Sequence, residues 1–146
     1  MVYILKKFPD AELRIAGHDP WKYGKVLKKL ISELKLEKHV HLNGYITDTN
    51  KFLSKLDVFA FASLKEEFGI VVLEAMTAAR EVVVSNISPL KEIICPGVSG
   101  LVAERQCPQD FANAIISLLK NPNYMHRVGA ERLKRVKADF STAKML

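Results

Sequence analysis

Asp57-Val58-Phe59-Ala60-Phe61-Ala62-Ser63-Leu64-Lys65-Glu66-Glu67-Phe68-Gly69-Ile70-Val71-Val72-Leu73-Glu74-Ala75-Met76 is the stretch that decides the fold. An apolar run ends near Ala62, a polar loop holds Ser63, Lys65, Glu66 and Glu67, and apolar residues then recur at helical spacing from Phe68-Gly69 to about Arg80. A buried strand followed by a loop and a one-faced helix is a βα unit. The alternation repeats on both sides. Strands are expected from Glu12 to Ala16, His39 to Asn43, Asp57 to Ala62, Glu81 to Ser85 and Gly100 to Ala103. Helices are expected from Val2 to Phe8 and from Tyr23 to Leu36, and in a short segment holding Phe52, Leu53 and Leu56 behind a Thr47 or Asp48 cap. Pro108 opens another, Asn121-Pro122-Asn123 ends it, and a last helix runs towards Phe140. The expected fold class is α/β: a doubly wound, mainly parallel sheet flanked by helices, in one domain over residues 1–146. A strand normally precedes the first helix of such a fold, so the natural domain is expected to begin upstream of Met1.

Composition agrees with a globular domain. The 146 residues are 49% hydrophobic, 8% aromatic and 26% charged, and no apolar run approaches a membrane span. The segment Met1 to Lys7 has its charge after the apolar part and lacks a small-residue cleavage site, so the expected location is cytoplasmic. Cys95 and Cys107 fit neither a disulfide framework nor a CxxC metal site. The net charge of +6 favours an anionic partner. From Lys120 onward seven basic residues meet two acidic ones, a solvated face or a contact for anionic headgroups. Basic residues interleaved with aromatics are lacking, so no nucleic-acid partner is expected. His18, His39, His41 and His126 have no Ser, Cys or Asp partner at catalytic spacing and are read as structural or solvated.

In open α/β sheets ligands bind at the carboxyl ends of the strands, which puts the loop from Ser63 to Glu67 at the candidate site. The start of the following helix offers the amides of Phe68, Gly69 and Ile70 with the positive end of its dipole, suited to a diphosphate or to sugar hydroxyls. Gly69 would let that ligand approach the backbone. A carboxylate at Glu74 suits a vicinal diol such as a ribose. On spacing alone, Glu66 and Glu67 opposing the dipole, with Glu74 as a helix-edge residue, explains the same pattern.

The pattern Ser63-x-x-Glu66-x-Phe68-Gly69 followed by Leu73-Glu74-Ala75-Met76 resembles the E-x7-E signature of the nucleotide-sugar-binding lobe in family 4 retaining glycosyltransferases. These enzymes have two Rossmann-like lobes, the GT-B architecture. Phe8 to Gly17 looks like the family's helix-to-strand segment, and Val40 to Tyr45 like its strand and base-side loop. Ser85, Glu92, Gly97-x-x-Gly100-Leu101-Val102 and Asn121-Pro122 follow in the family's order. The resemblance implies a donor-binding lobe of a retaining glycosyltransferase acting in glycan or glycolipid biosynthesis. Glu66, near the hexose, and Glu74, on the ribose, would be catalytic. Ser63, Phe68, Gly69, Ile70, Gly44, Tyr45 and Gly17 would line the donor, with the Gly44-Tyr45 loop against the base. No cofactor or metal is expected, because basic residues and helix dipoles neutralise the diphosphate. Implied partners are an NDP-sugar, an N-terminal acceptor lobe and an anionic membrane surface on the cytosolic side.

Departures from the family pattern bear on activity. The family's first strand, with its glycine-rich turn carrying an Arg and a Lys, is not in this sequence, and neither is the acceptor lobe, so the chain is not expected to turn over alone. Ala79 and Glu81 stand where Gly and Pro are usual, and Ser88-Pro89 replaces a glycine pair. Pro89 has no N–H to donate. Glu67 adds negative charge beside Glu66. These features define the alternative reading, a degenerate lobe serving as a partner or regulatory module.

Overall fold

The structure is a computed structural model and describes residues 1–19 and 22–121. The order of elements is α1 (Val2–Leu5), β1 (Leu13–Ala16), α2 (Gly24–Glu33), β2 (Val40–Gly44), α3 (Thr49–Leu53), β3 (Val58–Phe61), α4 (Ile70–Thr77), β4 (Glu81–Ser85), α5 (Ser88–Ile93), β5 (Leu101–Ala103) and α6 (Pro108–Leu119). The fold is α/β, and every strand pairing is parallel. The described strands form two sheets, β1-β2 and β3-β4-β5, in two compact units that divide after Thr49. The expected last helix and the basic C-terminal segment lie outside the described residues.

In the first unit Leu13 pairs with Val40 and Ile15 with Leu42, and the register shifts between Ile15 and Ala16. Asp19 starts α2: its carboxylate accepts the amides of Tyr23 at 2.6 Å and Gly24 at 2.8 Å, two of the donors a helix start leaves open. The helix stops earlier than expected because Lys35 takes a left-handed conformation (φ 55°), and the Leu36 amide turns back to the Ile31 carbonyl. The apolar residues expected to be its inward face are largely open. Val26, Leu30 and Leu34 are 52%, 48% and 46% exposed, and α2 buries no residue fully.

The second unit has helix-packed apolar groups on both faces of its sheet. β4 is the middle strand and all five of its residues are buried. Successive side chains of a strand point to opposite faces. Accordingly Val82 and Val84 join Val72, Met76, Leu90 and Ile93 in one cluster, while Val83 joins Ala103, Leu118 and Phe111 in another. Helix α5 was not among the expected helices. Extended Ile87 precedes it, and Pro89 sits in its first turn, where a missing N–H costs no helical hydrogen bond. Ala79 occupies the left-handed position after α4 (φ 57°), and the Arg80 amide closes the turn on the Ala75 carbonyl. This is the geometry in which glycine avoids a Cβ clash.

Candidate functional site

The carboxyl ends of β3, β4 and β5 converge on a cleft of ≈ 460 Å³ within the second unit. The loop after β3 contributes Leu64, Lys65 and Glu66, the β4-α5 connection Asn86, Ile87, Ser88 and Pro89, and the end of β5 Glu104 and Arg105. Its volume is within the range of small-molecule sites, and it is broadly open to solvent.

Local hydrogen bonds set the walls. The Ser63 hydroxyl donates to the Lys65 carbonyl at 2.7 Å and tightens the turn leaving β3. Glu66 then folds back on its own loop, and its Oε1 accepts the amides of Glu67 (3.0 Å), Phe68 (3.2 Å) and Gly69 (3.1 Å). These donors, led by that of Phe68 and opposed by partial burial, hold the Glu66 carboxyl below the usual glutamate range. Across the cleft the Asn86 side-chain amide donates to Glu104 Oε2 at 2.8 Å, and the Glu104 amide donates to Asp110 at 2.6 Å.

Two expectations for this loop are corrected. The amides of Phe68 and Gly69, read as open donors, are taken by Glu66, whereas those of Ile70 and Val71, next in α4, donate to no acceptor among the described residues. Gly69 is left-handed (φ 79°), and a Cβ on it would lie 2.7 Å from Leu90 Cδ2 and 3.2 Å from Ile93 Cδ1. The space a side chain would need there is filled by α5, so packing accounts for the glycine.

Ser63, Glu66, Phe68, Gly69 and Ile70 therefore come together on one loop and helix start. Glu74 is one turn beyond Ile70 on the exposed side of α4 and is not among the cleft's lining residues. Gly17, Gly44 and Tyr45 belong to the first unit, where the Gly17 amide donates to the Gly44 carbonyl at 2.9 Å across the ends of β1 and β2. Gly44 is left-handed (φ 65°) and Tyr45 is 73% exposed. His39 is a strut, with Nδ1 3.1 Å from the Ala11 carbonyl, and His41 Nε2 lies 3.6 Å from Glu12. His126 lies outside the described residues. Cys95 and Cys107 form no disulfide. Among the described residues no group of three or more His, Cys, Asp or Glu could hold a metal, and no helix is long and apolar enough to cross a membrane.

Sequence reasoning passed over Asn86, Glu104 and Arg105. The rule that singled out Ser63 and Glu66, position just past the end of a parallel strand, applies equally to these three.

The profile of the family described as glycosyl transferases group 1 matches residues 1–135. N-acetyl-alpha-D-glucosaminyl L-malate synthase of Bacillus anthracis is 27% identical over 137 residues, covering 94% of this chain and 35% of that protein. Among solved structures, S. aureus TarM with UDP, fondaparinux and alpha-GlcNAc-glycerol superposes with a TM-score of 0.91 at 25% identity, over 98% of this chain and 29% of that one. Anabaena HepE with UDP superposes at 0.90 and 22% identity, over 99% of this chain and 41% of that one, which is a likeness of fold. The chain spans about a third of the length of the curated relatives it matches.

Proposed function

The chain belongs to the group 1 glycosyl transferases, and from that premise we propose that it is the donor-binding lobe of an enzyme that transfers a sugar from an NDP-sugar to an acceptor hydroxyl with retention of configuration. The carrying observation is the Glu66 carboxylate, fixed by three backbone amides beside the cleft at the strand ends. Held below the usual range, this group stays ionised and acts purely as an acceptor, suited to sugar hydroxyls at its remaining lone pairs. Glu74 would take the ribose diol, and the amides of Ile70 and Val71, at the positive end of α4, would meet the negative charge left when the C1–O bond to the diphosphate breaks. Ser63 holds the loop, and Phe68 and Gly69 are bound through their position in it. The donor chemistry calls on no metal. Solved relatives that carry UDP support a nucleotide ligand.

The non-catalytic alternative draws on Ala79, Glu81 and Pro89. Ala79 and Glu81 lie at the amino end of β4, opposite the cleft, which favours the enzyme reading. The test is calorimetric and amide-NMR titration of the 146-residue chain with UDP, GDP, ADP and their hexose conjugates, repeated with Glu74→Ala. One nucleotide should saturate, shift residues 66–74 and bind at least about tenfold more weakly to the variant, the scale of a lost charged hydrogen bond. A folded chain that binds none of them would leave the non-catalytic module as the better account.

A further inference from the structure

Four of the residues lining the cleft are charged, and they are not equivalent. Glu66 spends one carboxylate oxygen on three backbone amides, and Glu104 is bound by the Asn86 side chain. Each carboxylate thus has N–H donors pointing at it. The two cations, Lys65 and Arg105, are exposed, and neither comes within ion-pairing distance of a carboxylate among the described residues. The two carboxylates of the cleft are thus engaged by hydrogen bonds, whereas its two cations have no ion-pair partner among the described residues. The two cations come from different loops, one after β3 and one after β5, so the fold and not a run of basic residues brings them to one cavity.

We infer that this cleft takes a sugar bearing an acid group, a carboxylate or a phosphate ester, which is set against Lys65 and Arg105. The guanidinium fork of Arg105 matches either acid with two parallel hydrogen bonds, and Lys65 adds a point charge. Glu66 and Ser88 remain for the neutral hydroxyls. The inference deepens the donor-lobe reading, because the sugar is the part of the donor that reading puts beside Glu66. Binding of the acid group does not itself require the nucleotide.

The experiment is an amide-NMR titration of the 146-residue chain with glucose, glucuronate and glucose 6-phosphate, repeated with Arg105→Ala, Arg105→Lys and Lys65→Ala. Both cations are exposed, so these variants should fold. At least one acid should bind about tenfold more tightly than glucose, shift residues 64–66, 86–89 and 104–105, and weaken as salt is raised. The stronger of the two acid arms tells carboxylate from phosphate. Arg105→Ala should lose most of the gain, and Arg105→Lys should keep part of it. Equal binding of glucose and both acids, binding of none of them, or acid binding unchanged in Arg105→Ala and Lys65→Ala would overturn the inference. Nucleotide binding is read separately. Acid binding without any nucleotide binding sinks the donor-lobe reading and supports this one, and nucleotide binding without acid preference does the reverse.

Discussion

The glycines at the two sets of strand ends have opposite surroundings. A Cβ added to Gly17 or Gly44, in the first unit, would meet nothing within 4 Å. On Gly69 it would run into Leu90 and Ile93, and on Gly100 into the Val82 side chain and carbonyl. The helices differ in the same sense: α2 buries no residue fully, whereas α4 buries Val72, Leu73, Ala75 and Met76. Both units read as βα repeats, but a Cβ on Gly24 of the first would meet only the tip of the Asp19 carboxylate, at 2.9 Å, whereas in the second the missing side chain makes room for packed core groups. A glycine beside a candidate site is therefore no sign of ligand approach until its missing side chain has been placed.

The sharpest way to break this comparison is to truncate one apolar side chain in each unit. Met76→Ala should cost about 3 kcal/mol and Leu30→Ala less than about 1 kcal/mol by urea denaturation, since only the first leaves a buried void. Similar losses would mean that α2 is buried in solution. Next come the glycines. Gly69→Ala combines left-handed strain with overpacking and should cost about 2–3 kcal/mol, against about 1 kcal/mol of strain alone for Gly44→Ala. Replacing Ala79 by Gly relieves the left-handed alanine after α4 but loosens the unfolded chain, so a net gain of about 0.5 kcal/mol is expected in the same assay. The smallest effect concerns pH. Because the folded-state pKa of Glu66 is lowered, its contribution to stability is present above the unfolded value and is lost as pH falls through the folded one. The gap in stability between the native chain and Glu66→Gln should therefore narrow on acidification, and a gap independent of pH would show that the amides do not favour the charged form.

Much of this was legible in the sequence where a periodic pattern met a clear boundary. The valine run of β4 and the Pro108 start of α6 needed only local rules. So did the strand, loop and helix from Val58 to Thr77. Helix α5 is not legible because six residues carry less than two turns of periodicity, and Pro89 signals a missing N–H as readily as a helix start. Openness of the α2 face depends on how much sheet is available to cover it, which no residue of α2 encodes. The placement of Glu66 against its own loop is a choice of side-chain rotamer and backbone turn together, and hydrophobic spacing says nothing about either.

That placement changes what an incoming ligand has to do. An anion approaching the amides of Glu67, Phe68 and Gly69 must compete with a carboxylate tethered one to three residues away, whose effective concentration there exceeds that of a free metabolite, which leaves the next amides, of Ile70 and Val71, as the open ones. A simple phosphate or sulfate has little to offer in exchange. A larger molecule that grips several parts of the lobe at once can displace or share Glu66 and recover the difference elsewhere. At those three amides the loop therefore favours a ligand with a wide footprint over a small anion.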